Sequence, residues 1–119
     1  LVACIFSTAP APDYLALLNA ATGRDFGPEE TLAAGERIFN LQRALNIRLG
    51  YTPAGERLPK LLRQPLSEGG TEGFVPDENL LRREYYQTRQ WDLKSGKPAR
   101  AKLLALGLPE IAEDLHSAA

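Results

Sequence analysis

The sequence predicts an all-α fold, an irregular array of several helices interrupted by one long Pro/Gly-rich loop. Three observations carry this. Apolar residues recur with a helical period between residues 28 and 49. Proline and glycine fall where helices start and stop. No segment alternates apolar and polar residues as a half-buried strand does.

The first helix starts at the Pro10 to Pro12 turn or at Asp13, carries Tyr14, Leu15, Leu17, Leu18 and Ala21 on a broad face, and ends at Gly23, which suits a left-handed cap. The second starts at Gly27-Pro28-Glu29-Glu30, with proline at the first helical position and two carboxylates against the positive end of the helix dipole. That placement accounts for Glu29 and Glu30 without any acid/base role. Ala34, Ile38, Leu41, Leu45 and Leu49 form one stripe, with Glu36, Arg37, Arg43 and Arg48 off it, and Gly50 ends the helix. The stripe is expected to face a core.

Between Tyr51 and Pro76 eight prolines and glycines leave room only for a short helical turn near Leu58 to Leu62. Unstructured loops of this length are uncommon unless they are functional. Its apolar residues, among them Leu61, Leu62, Leu66, Phe74 and Val75, suggest a strap lying over a neighbouring surface. A third helix follows, N-capped by Asp77 and running through Tyr85 to Trp91. After a turn at residues 94–97, Pro98 opens a fourth helix ending at Gly107, and Pro109 opens a last one through Leu115. The expected organisation is a leading segment 1–11, a helical pair 12–50, the strap 51–76 and C-terminal helices 77–116.

Composition narrows function. The chain has 119 residues, 14 basic against 15 acidic, a net charge of −1 and 44% hydrophobic residues. It has no field to hold a polyanion, so nucleic acid is not an expected partner. Nor does any apolar run reach the ~18 residues of a membrane helix. The absence of methionine and the apolar opening Leu1 to Phe6 suggest a piece of something larger. Residues 82–102 hold seven cations against two carboxylates, either a docking face for an acidic protein or a solvated helix surface. Tyr85, Tyr86 and Trp91 have the spacing of core anchors. His116 falls near the chain end, where mobility is usual. The glycines at 69, 70 and 73 lack the context of a phosphate loop. Cys4, the single cysteine, sits in Val2-Ala3-Cys4-Ile5-Phe6, where the default is an inert buried thiol. Thus the residues by themselves present no catalytic constellation.

Several landmarks in order resemble the C-terminal region of the tungsten-containing aldehyde ferredoxin oxidoreductase family. They are residues 18–23 (Leu-Asn-Ala-Ala-Thr-Gly), 36–43 (Glu-Arg-Ile-Phe-Asn-Leu-Gln-Arg), 46–50 (Asn-Ile-Arg-Leu-Gly) and Leu58-Pro59. Tyr85-Tyr86, Arg89, Trp91-Asp92, Gly96, Pro98 and Leu106-Gly107-Leu108 complete the set. Glu56 and Lys60 stand where the family's Asp-x-Leu-Pro-x-Arg element has its acid and arginine, and Gln90 stands where its Tyr-Tyr-x-x-Arg-Gly-Trp-Asp element has glycine. Cys4 matches the cysteine of a motif like Asp-x-x-Gly-x-Cys, with Val2 at the glycine position and the aspartate falling before residue 1.

The resemblance implies that Cys4 is the fourth thiolate of a [4Fe-4S] cluster whose other ligands come from an upstream Cys-x-x-Cys-x-x-x-Cys, within an apolar shell that tunes its potential. It implies a cytoplasmic enzyme that oxidises aldehydes to carboxylic acids at a tungsten or molybdenum centre held by two pterins, and that passes electrons to ferredoxin or a similar carrier. The expected partners are the upstream domains of the same polypeptide. The isolated chain is expected to be inactive, to hold neither cofactor, and to self-associate through exposed apolar surface. The competing expectation is a stand-alone helical interaction module that docks through residues 82–102.

Overall fold

The computed structural model describes Phe6 and residues 9–117. Among these the chain is all-helical: α1 (Ala11–Thr22), α2 (Pro28–Arg48), α3 (Glu78–Arg89), α4 (Arg100–Ala105) and α5 (Pro109–His116). The strap between α2 and α3 contains two 3-10 turns, Pro53–Gly55 and Lys60–Arg63, and two isolated bridges, Leu66 with Glu72 and Trp91 with Pro98, are the only β-type pairings among the described residues.

The punctuation works as its chemistry requires. Gly23 caps α1 at φ 67° and donates its N–H to Asn19 O. Asn19 also exchanges two hydrogen bonds with the backbone of Phe26, fixing the link into α2. Pro28 is the first residue of α2, and the Asp77 carboxylate accepts from the N–H groups of Asn79 and Leu80 at the head of α3. Two helices are shorter than the sequence suggests. α3 stops at Arg89 because Gln90 adopts φ 57°, a left-handed conformation at the position where the resemblance places glycine. α4 starts at Arg100 rather than Pro98, because residues 91–98 are held in a turn: Asp92 N donates to Lys97 O and Gly96 N to Asp92 O.

The apolar core is modest. Ala44 of α2, Leu103 of α4, and Ala112 and Leu115 of α5 are buried together, with Ile47, Leu108 and Ile111 packed around them. The stripe on α2 is the main departure from expectation. Ile38 is 59% exposed, Leu41 42%, Leu45 58% and Leu49 76%, while the opposite side of the helix buries Asn40, Arg43 and Ala44. The apolar stripe therefore looks outward, and the side that holds the rest of the chain is mixed, with Asn40 and Arg43 beside Ala44 and Ile47. The body is also thin and spread. Its radius of gyration is 18.2 Å, against about 13.5 Å for a compact domain of this length. Its extents are 53 × 46 × 21 Å, so the least dimension is about two helices.

Candidate functional site

The polar face of α2 converges on one guanidinium. Arg43, 8% exposed, donates from Nε to Gly96 O (2.9 Å), from Nη1 to Glu56 Oε1 (2.5 Å) and from Nη2 to the Tyr86 hydroxyl (2.6 Å). Tyr86 in turn donates to Glu56 Oε2 (2.6 Å). One side chain thus ties α2 to the strap, to α3 and to the 92–97 turn. The guanidinium also lies over the Trp91 ring, 4.4 Å from its centroid. Trp91 Nε1 donates to Asn40 Oδ1 (2.9 Å), and Asn40 returns an Nδ2 bond to Glu36 O within α2. Every buried side-chain polar atom among the described residues has a partner, which is what makes a buried charge tolerable.

Burial, reinforced by the hydrogen bond to Glu56, pushes the Tyr86 phenol up to about 12, so it stays a neutral donor across the physiological range. Gly96 is required twice over. Its φ is 69°, and a Cβ there would run into Arg43 Nη2. Asp92 fixes the same turn by accepting from Ser95 Oγ (2.6 Å), Ser95 N (2.6 Å) and Lys94 N (3.2 Å), and these bonds hold its carboxyl below the ordinary value.

Outside this node several charged residues also have partners within the domain. Arg37 Nε donates to Leu106 O (2.7 Å), Lys102 pairs with Glu36 (2.6 Å), and Arg48 pairs with Asp114. Lys97 Nζ donates to Leu115 O (2.7 Å). His116 is not at a loose end: its Nε2 lies 2.9 Å from Pro98 O. Arg89 lies over the rings of Phe39 and Tyr85, and Phe39 stacks on Trp91. Of the seven cations in 82–102, Arg82, Arg89, Lys97 and Lys102 are engaged inside the domain. Arg83, Lys94 and Arg100 are exposed.

A cleft of about 520 Å³ opens between the strap and α3, lined by Tyr51, Leu58, Leu81 and Tyr85, with Glu78 and Arg82 at its edge. Both charges are already used: Glu78 accepts from Leu58 N, and Arg82 donates to Asn79 Oδ1 and Pro53 O. No group of three His, Cys, Asp or Glu side chains among the described residues is placed to hold a metal ion, and no described helix is long and apolar enough to cross a membrane. Cys4, the ligand expected from the sequence, lies outside the described residues. Reading the sequence alone missed Asn40, Arg43, Tyr86 and Gly96 as one unit. The available signal was the acid before Leu58-Pro59: Glu56 is the carboxylate that Arg43 and Tyr86 share.

The described residues thus form an all-helical body with one buried guanidinium at its polar node, an apolar stripe turned outward on α2 and no cluster placed to hold a metal ion. Comparison with known proteins identifies the family. The family model described as "Aldehyde ferredoxin oxidoreductase, domains 2 & 3" matches residues 1–108, and the chain belongs to that family. The tungsten-containing aldehyde ferredoxin oxidoreductase of Pyrococcus abyssi is 41% identical over 111 residues, 90% of this chain and 18% of the relative. The enzymes of the same name from Thermococcus kodakarensis and Pyrococcus furiosus are each 40% identical over the same shares. The chain thus spans under a fifth of the length of these curated relatives. No solved structure matches it. The resemblance carried by the ordered motifs is borne out.

Proposed function

We propose that this chain is the helical C-terminal portion of a cytoplasmic enzyme that oxidises an aldehyde to its carboxylic acid, and that Cys4 supplies one thiolate to a [4Fe-4S] cluster through which electrons leave for ferredoxin. The reaction takes one water and releases two electrons and two protons per aldehyde. When bound, the tungsten-pterin group supplies the redox chemistry.

The chain's own residues have two tasks in this reading. A [4Fe-4S] cluster takes four thiolates and the chain has one cysteine, so the donor set fits a shared cluster and no complete site within these residues. Val2, Ile5 and Phe6 beside Cys4 in the sequence are apolar, and an apolar shell around a cluster favours its less charged state and so bears on its potential. The node at Arg43 locks α2, the strap and α3 into one body. The observation that carries the reading is the match over residues 1–108, which spans Cys4, at about 40% identity to enzymes named as tungsten-containing.

The test is the full-length enzyme, produced without oxygen and with tungstate, carrying Cys4→Ala. The expected result is loss of the broad visible absorbance and of the reduced-cluster EPR signal, with ferredoxin-linked aldehyde oxidation falling to background. Unchanged iron and sulfide content would overturn the ligand assignment.

A further inference from the structure

An apolar stripe of four large side chains, each between 42% and 76% exposed, runs along the outer side of α2. Such a continuous strip on a helix that already buries its other face is unfinished packing, since soluble proteins keep contiguous apolar patches small. Beside it a notch of about 250 Å³ opens between α2 and α5, lined by Leu41, Ala44, Leu45 and Ile111. Its remaining walls, Arg48 and Asp114, neutralise each other as an ion pair. The notch therefore offers shape and apolar surface without net charge, which selects an apolar occupant over a charged peptide or an acidic carrier protein.

We propose that the outer face of α2, comprising Ile38, Leu41, Leu45 and Leu49 with the adjoining α2–α5 notch, is the seat of another part of the same polypeptide, which places an apolar side chain in the notch. Two observations identify this occupant. The matched relatives are more than five times as long as the matched stretch, so most of the polypeptide is available to cover the face. The body is also a slab, 21 Å in its least dimension with a radius of gyration well above that of a self-contained domain, the shape of a layer that is one wall of a larger core. The inference rests on the reading of the chain as one portion of a longer enzyme, and not on the role of Cys4.

The test is accessibility in the full-length enzyme. Leu45→Cys, and separately Leu49→Cys in case the first perturbs folding, is alkylated with N-ethylmaleimide and read peptide by peptide by mass spectrometry. The expected outcome is alkylation at least about tenfold slower than in the same enzyme unfolded in guanidinium, at protein concentrations where it is monomeric. Alkylation less than tenfold slower would overturn the proposal. So would protection that disappears on dilution as a dimer dissociates, because the occupant would then be a second copy. The Cys4→Ala spectra are independent: loss of protection with Cys4 still a ligand, or protection with Cys4 dispensable, separates failure of the interface from failure of the cluster assignment.

Discussion

The two sides of α2 do opposite things. The inner side carries Asn40 and Arg43, polar and charged, and is the most deeply buried surface of the helix; the outer side carries Ile38, Leu41, Leu45 and Leu49 and is open. In most helices the apolar stripe marks the core. Here directional bonds to Glu56, Tyr86, Trp91 and Gly96 hold the chain's own elements, and the apolar stripe is left for a surface elsewhere. A stripe read from sequence therefore says which face will be buried, but not whether its partner lies within the same stretch of chain.

Breaking the inner side should have the largest effect. Arg43→Leu strands Glu56 and the Tyr86 hydroxyl, and is expected to cost about 3 kcal/mol. Urea unfolding of the 119-residue chain, followed by the fluorescence of Trp91, its only tryptophan, measures this directly. Adding Glu56→Leu to that variant should recover part of the loss, because the uncompensated carboxylate goes with it.

Next comes the pH dependence of the same node. The Tyr86 phenol is raised in the folded state to about 12 from 10.0. A group raised on folding stabilises fully below its unfolded pKa and loses that contribution as pH climbs through its folded one. Stability should therefore decline between pH 10 and pH 12, and Tyr86→Phe should flatten that decline. Asp92 has the opposite sign. Its depressed pKa adds stability above the ordinary carboxylate range, lost as pH falls through its folded value, and Ser95→Ala should weaken it.

A smaller effect of opposite direction is expected at Gln90. Its φ of 57° is uncomfortable for a side chain with a Cβ, so Gln90→Gly should stabilise by about 1 kcal/mol, seen as a higher urea midpoint with an unchanged slope. The smallest effect belongs to the outer side. Leu45→Asp within the 119-residue chain alone should fall within about 0.5 kcal/mol of the parent, because the side chain already faces water.

Helix ends were legible in the sequence because proline and glycine act locally: Gly23, Pro28, Asp77, Gly107 and Pro109 sit at element boundaries for reasons contained in a few neighbouring residues. The end of α3 was less legible, since only a glycine would have announced the left-handed cap that Gln90 supplies. The Arg43 node was not legible. Its members are up to 53 residues apart; Arg43 and Glu56 taken singly read as surface residues, and Tyr86 reads as an apolar core anchor with no sign of its polar partners. Cys4 became a candidate only through the ordered family motifs, because one cysteine in an apolar run has no chemistry that spacing can reveal.

The most direct measurement places one substitution in two settings. Leu45→Asp, nearly neutral in the 119-residue chain, is expected to lower the thermal midpoint of the full-length enzyme by about 1–2 °C, the shift that about 2 kcal/mol at a buried apolar contact gives in a polypeptide of the relatives' length. An unchanged midpoint in the full-length enzyme would mean that the outer side of α2 meets only water, and that its leucines await no partner.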